Sequence, residues 1–208
     1  MMASRGKKKY LKQWTAFAEY LKTGKRPDTF EEAYAVVADK VSGLYESEAR
    51  AMWHNIRAIK PKSIVEIGRN LGGSQFLFCC AAPELEQLWS IDIEAFELTD
   101  TWLEEWGCFN GIDIQNDVHD SSESVPVGMY DLVFIDGLHT GPGVRADIEV
   151  WKDHARHLAF HDFSDRKTNR HKRHYPDVVA EIRGAAQAYQ WQQFGERGKS
   201  DIVFKTGL

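Results

Sequence analysis

The stretch Ser63-Ile-Val-Glu-Ile-Gly-Arg-Asn-Leu-Gly-Gly-Ser74 decides the fold. A short apolar run predicts a buried strand, glycines follow in a turn, and a helix begins near Ser74. Gly68, Gly72 and Gly73 let the backbone approach a ligand closely. The helix start adds unpaired N–H groups and partial positive charge, which suit a carboxylate or phosphate. The spacing is neither the dinucleotide G-x-G-x-x-G pattern nor a phosphate-binding loop, since no Lys-Ser/Thr follows. Glu66 at the strand end would repel a pyrophosphate. A cationic ligand with a carboxylate tail fits better.

Outward from this stretch, short apolar runs alternate with helix-length segments. The runs are Ile64–Ile67, Leu88–Ile91, Ile112–Ile114, Leu132–Ile135 and Leu158–Phe160. Between them lie Ser74–Ala81, Asp100–Trp106 and Gly143–His154. That alternation predicts a parallel sheet with helices on both faces. Near the C-terminus, Pro176–Tyr189 reads as a helix. Trp191–Phe194 and Asp201–Lys205 read as strands joined by the turn Gly195-Glu-Arg-Gly198.

Upstream, the chain reads as helical. Leu11, Trp14, Phe17, Ala18 and Leu21 form one apolar stripe. Thr29-Phe-Glu-Glu32 has capping-box spacing and opens a second helix through Val41. Ser47 is placed to cap a third, with Ala49, Met52, Trp53, Ile56 and Ile59 buried and Pro61 ending it. The expected organisation is a helical extension over 1–60 and a ligand-binding domain over 61–208.

Composition fits that plan. The chain has 208 residues, 43% hydrophobic and 27% charged, close to the globular average, which argues against a disordered or disulfide-scaffold protein. Its net charge of −5 argues against wholesale nucleic-acid binding. Three cysteines, Cys79, Cys80 and Cys108, suit a reducing compartment. The longest apolar run, Phe76–Ala82, is too short to span a bilayer. The first residues have no apolar stretch after their charges, so no secretory signal is read. A cytoplasmic location and no membrane partner are expected.

Acidic groups recur at strand ends. Asp92 ends the second strand, 20 residues after Gly72, where doubly wound folds place an acid for ribose hydroxyls. Asp117 follows the third strand and could accept from an exocyclic adenine amine. Asp131-Leu-Val-Phe-Ile-Asp136-Gly-Leu-His139 delivers an Asp and a His at a C-terminal strand end. Phe160-His161-Asp162 delivers a second acid in the same way. Glu66, Asp92 and Asp117, three acidic strand ends, together with the glycine turn describe a site for a positively charged adenosyl ligand.

These segments together resemble class I S-adenosylmethionine-dependent methyltransferases. More narrowly, they resemble the branch of macrolide-sugar O-methyltransferases and cephalosporin-hydroxylase-like proteins. The resemblance runs from about residue 45 onward. It implies a Rossmann-like, doubly wound α/β fold with a mostly parallel seven-stranded sheet, its last strand antiparallel. It also implies S-adenosyl-L-methionine as cofactor, contacted by Glu66, Gly68, Gly72, Gly73, Ser74, Asp92, Asp117 and Asp136. In the resembled enzymes, equivalents of Asp136 and Asp162, with a carboxylate at the position of His161, hold a divalent metal such as Mg²⁺ or Mn²⁺. The equivalent of His139 is the general base in some members. Asp136 and His139 are therefore the catalytic candidates, and Asp136, His161 and Asp162 the metal candidates.

The chemistry needs this set. A hydroxyl is a poor nucleophile until its proton leaves. A bound cation lowers its pKa, and an imidazole accepts the proton near neutral pH. His161 departs from the family carboxylate, which shifts preference from Mg²⁺ towards Mn²⁺, Fe²⁺ or Zn²⁺. The link Trp151-Lys-Asp-His-Ala-Arg-His-Leu158 also lacks the family's Pro-Gly-Gly. The basic run Arg166–His174 reads either as a lid recruiting an acidic acceptor or as a solvated loop. The N-terminal helices would cap the donor site or form a homodimer face. The expected reaction is metal-assisted O-methylation of a small molecule or sugar. The alternatives are a metal-dependent oxygenase on the same scaffold and a non-catalytic S-adenosylmethionine-binding module.

Overall fold

The computed structural model describes residues 4–163, 175–186, 191–194 and 201–206. The basic run 166–174 and the turn 195–198 lie outside the described residues. Three helices come first: α1 (Ser4–Leu21), α2 (Phe30–Ser42) and α3 (Glu46–Ile59). An alternating series follows: β1 (Ser63–Ile67), α4 (Gly73–Ala81), β2 (Gln87–Asp92), α5 (Glu97–Phe109), β3 (Asp113–Val118), β4 (Tyr130–Ile135), α6 (Gly141–Trp151) and β5 (Ala155–Phe163). Then come α7 (Pro176–Ala186), β6 (Trp191–Phe194) and β7 (Asp201–Thr206).

The five strands β3-β2-β1-β4-β5 run parallel in that spatial order. Beyond β5, β7 and then β6 add antiparallel pairing. The expected Rossmann-like α/β architecture is present. After β3 the chain returns to the other side of β1, so β1 and β4 flank a topological switch point. Ligands in open α/β sheets bind outside the strand C-termini there.

Alternation along the strands sorts the core into two layers. Ile64, Leu88, Leu132 and Phe134 pack with α1–α5 around Phe76, Phe78 and Trp106. Val65, Ile67, Val133 and Ile135 pack with α6 and α7 around Trp151. The N-terminal helices share the first layer with α4 and α5. Arg26 Nη2 donates to the Cys79 and Ala82 carbonyls at 2.5 and 2.6 Å. These are the last-turn carbonyls of α4, which have no intrahelical donor.

Some boundaries differ from the sequence expectation. Thr29 caps α2 as expected, its side chain accepting from the Glu32 N–H. However, α2 is interrupted at Ala38 (φ 45°), a break that no glycine or proline signals. Tyr45, not Ser47, is the N-cap of α3. Glu48 reaches back to accept the Tyr45 N–H at 2.8 Å, and the Ser47 hydroxyl is buried without a partner. Among the intended buried residues of α3, Ile59 is only half-buried. The strand after α5 runs to Val118 rather than ending at Ile114, because its second half is a polar sheet edge with no apolar signal.

Candidate active site

A cleft of about 580 Å³ opens at the C-terminal ends of β1, β2, β4 and β5. That volume suits a small-molecule ligand. One half is lined by Gly68, Asn70, Ser74, Asp92 and the segment His119–Ser122. The other is lined by Asp136, His139, Thr140, Asp147 and His161.

The glycine turn makes the first half. Gly68 sits at φ +87°, and a Cβ there would stand 2.1 Å from the Asp136 carbonyl oxygen. Only glycine lets the β1 and β4 turns approach so closely. Asp92 shapes the turn from β2. Its Oδ2 accepts the Asn70 N–H at 2.8 Å, and its Oδ1 accepts the Glu94 N–H at 3.0 Å. Gly72 also has positive φ but faces away from the cleft, where a Cβ would meet Leu103 at 2.3 Å. Gly73 begins α4 and is buried; neither it nor Gly72 lines the cleft.

Glu66 was expected to face a ligand, but the structure places it under the turn. It is fully buried and accepts from Ser74 Oγ at 2.5 Å and Ser90 Oγ at 2.9 Å. Residues 64, 66, 88 and 90 share one sheet face, so Glu66 points at α4 rather than past the strand end. Burial pushes its carboxyl up to about 8, against the two hydroxyl bonds and Arg69. In the unfolded chain this group ionises near its ordinary 4.5, whereas the folded chain keeps the proton until about 8. Stability therefore falls as pH rises through that window, by on the order of a few kcal/mol, and levels off above it. Glu66→Gln should flatten that slope, giving a melting temperature above wild type at pH 8.5 and close to it at pH 4. Parallel melting curves across pH 4–9 would refute this.

Asp117 also lies elsewhere than expected. Its carboxylate accepts the Trp89 Nε1–H at 2.9 Å and does not line the cleft. Because β3 continues to Val118, Asp117 is still within the strand, paired with Ile91. Other acids that reach the cleft nearby are Glu94, Asp120 and Asp147. Asp147 is 3% exposed and accepts from Ser121 Oγ at 2.5 Å. Burial pushes it up to about 6; the Ser121 bond opposes this and Asp120 adds to it.

Sequence reasoning also missed Arg69. Its side chain is fully buried and grips Asp100 of α5 by two bonds, Nε–Oδ1 at 2.9 Å and Nη2–Oδ2 at 3.0 Å. Its Nη1 donates to the Ser90 and Asp117 carbonyls, both at 3.3 Å. One side chain thus ties the glycine turn to α5, β2 and β3.

In the second half, β4 and β5 bring together Asp136, His161 and Asp162. One potential ligand atom from each lies within 4.8 Å of the others. Adjacent strand residues normally point to opposite faces. Here Asp162 takes a left-handed conformation (φ 60°) beside a register shift between Phe160 and Phe163, and both side chains turn to the same site. Asp tolerates that region better than most residues. His161 Nδ1 lies 3.0 Å from Asp136 Oδ1 and 3.4 Å from Asp162 Oδ1. Burial alone would lower its pKa, but Asp136, Glu48 and Asp162 outweigh that and hold it well above 6.5.

His139 follows Asp136 on the loop leading into α6. Its Nδ1 lies 2.5 Å from Asp162 Oδ2, and its ring stacks on Tyr175 with centroids 5.1 Å apart. The bond to Asp162 raises its pKa, against partial burial. With Nδ1 engaged, Nε2 is the nitrogen left for the cleft.

This fold, a parallel sheet with a cleft at the switch point, is shared with solved methyltransferase structures. Residues 65–163, just under half of the chain, match the family model described as a methyltransferase domain. No curated protein matches the chain in sequence. Solved structures do. The SAH-bound methyltransferase PaMTH1 from Podospora anserina has a TM-score of 0.64 at 12% identity, covering 98% of this chain and 96% of that one. A putative caffeoyl-CoA O-methyltransferase from Staphylococcus aureus gives 0.61 at 15% identity, covering 90% and 98%. The O-methyltransferase TomG from Streptomyces achromogenes, in complex with SAM, gives 0.57 at 14% identity, covering 95% and 98%. At these identities the likeness is one of fold. No helix among the described residues is long and apolar enough to cross a membrane.

Proposed function

We propose that the protein transfers a methyl group from S-adenosylmethionine to a hydroxyl of a small molecule or sugar, assisted by a divalent metal. The observation that carries this reading is the continuity of the cleft. Its glycine-turn half meets, at Asp136, a cluster of two carboxylates and two imidazoles. The methyltransferase-domain match and the SAM- and SAH-bound neighbours support the donor. We read β6 and β7 as completing the family's seven-stranded sheet.

The roles follow from position. Gly68, Ser74 and Asp92 line the half assigned to the donor, with Asp92 available to ribose hydroxyls. Asp120 takes the adenine-side place first expected of Asp117. Asp136, His161 and Asp162 would hold the metal. Two oxygen donors and one nitrogen donor, with ligand atoms within 4.8 Å, fit a divalent ion. A divalent ion held by these residues would lower the pKa of a bound hydroxyl by several units. Asp162 fixes the His139 ring through Nδ1, and His139 Nε2 takes the acceptor's proton. Transfer requires the reacting oxygen about 3 to 3.5 Å from the methyl carbon, a placement the cleft walls would have to enforce. The acceptor would be a small molecule or sugar, not nucleic acid.

Calorimetric titration of chelator-treated protein with S-adenosylmethionine and its demethylated product, with and without Mn²⁺ or Mg²⁺, tests the donor. Micromolar binding is expected, and no binding under any condition would sink the reading. An acceptor screen read by mass then tests the reaction. A gain of one methylene is expected, whereas a gain of one oxygen would indicate the oxygenase alternative.

A further inference from the structure

Glu48 lies 113 residues from His161 in sequence, on a helix outside the match to the methyltransferase-domain family, yet it meets His161 inside the site. Its side chain is fully buried. Its Oε2 lies 3.3 Å from His161 Nε2 and also accepts the Tyr45 N–H at 2.8 Å. Its Oε1 is buried with no hydrogen-bond partner among the described residues. A capping glutamate at this helix position ordinarily sits in solvent, where its charge costs nothing to keep. Burying a carboxylate whose only other bond is to one neutral N–H is costly unless a cationic or strongly polar group faces it. Among the ion pairs of the described residues, Glu48 has one such partner, His161.

We propose that Glu48 is the positioning residue of the metal site. The inference rests on the metal reading given above. The two nitrogens of His161 point opposite ways. Nδ1 faces the gap between Asp136 and Asp162; Nε2 faces Glu48. A histidine that binds a metal through one nitrogen must carry its proton on the other. A carboxylate accepting that proton fixes the ring and makes it a better ligand. Glu48 lies outside the ligand cluster itself, so it acts through the ring rather than on the ion. It is itself held from behind, because the Tyr45 N–H anchors it to the first turn of α3. The imidazole that replaces the family carboxylate at position 161 is thus matched by a carboxylate supplied from the N-terminal helices. The pair defines a mixed nitrogen–oxygen site that suits borderline ions such as Zn²⁺ or Fe²⁺ best and admits Mn²⁺ more readily than Mg²⁺.

The test uses the full chain, stripped with chelator and titrated calorimetrically with Mn²⁺. Glu48→Gln keeps the shape and an acceptor for Tyr45 but removes the charge. Glu48→Asp keeps the charge but is one methylene too short to reach His161. Both should bind Mn²⁺ 10- to 100-fold more weakly than wild type. The histidine nitrogen coupling in the electron paramagnetic resonance spectrum of the Mn²⁺-loaded protein should change with them. A purely structural role would lower the melting temperature and leave affinity and nitrogen coupling alone. Wild-type affinity in either variant, or a weaker complex with unaltered nitrogen coupling, overturns the inference while leaving the metal reading intact. Absence of Mn²⁺ binding by the wild-type protein overturns both.

Discussion

Asp162→Asn should lower methyl transfer by between about 10² and 10⁴-fold, the span a positioned acid–base group contributes. Asp162 touches both functional imidazoles, at 2.5 Å from His139 and 3.4 Å from His161. Asparagine has the same shape and is at ease at φ 60°, so the backbone turn that aims residues 161 and 162 is preserved. What changes is charge. The proton of His139 loses its anionic partner, and the metal candidates lose one of two carboxylates. Donor binding should persist, because Asp162 does not line the glycine-turn half. Rates on the acceptor found by screening, with titration of the demethylated donor as a folding control, decide the matter. Activity within fivefold of wild type would remove Asp162 from the mechanism.

The second large effect is on stability. Arg69→Ala leaves Asp100, itself only 13% exposed, without its bidentate partner. It also strips donors from the Ser90 and Asp117 carbonyls. Breaking a buried ion pair costs about 3–5 kcal/mol. At roughly 2–4 °C per kcal/mol for a chain of this size, the melting temperature should drop by roughly 10 °C. Asp100→Ala should cost a similar amount, and the double variant less than the sum, because the two changes remove one interaction. A drop under about 3 °C in both single variants would mean that solvent already carries these charges.

Most of the parallel sheet was legible in the sequence because its central strands are buried on both faces and read as nearly continuous apolar runs, interrupted in β1 by Glu66. Ile64–Ile67 and Leu132–Ile135 are of this kind. β3 was read short because Gln115–Val118 is a polar edge, and that reading put Asp117 at the strand end, whereas Asp120 is the acid that lines the cleft. Gly68, Asp92, Asp136, His139 and His161 reach the cleft because each sits at or just beyond a strand end. Glu66 was misjudged by face rather than by position. The groups missed altogether, Arg69 and Glu48, meet partners 31 and 113 residues away, Asp100 and His161. Such pairings leave no periodic trace. The one available signal was an arginine inside a glycine turn that otherwise favours small residues.

The close approach at Gly68 has a consequence for how much error the site can tolerate. The turn that would seat the donor and the strand end that carries Asp136 meet with no room for even a methyl group between them. On the proposed reading, the two reacting partners would be registered against a single shared point of backbone. A distortion of one turn shifts the other with it, so their separation is conserved under strains that would pull apart two independently mounted loops.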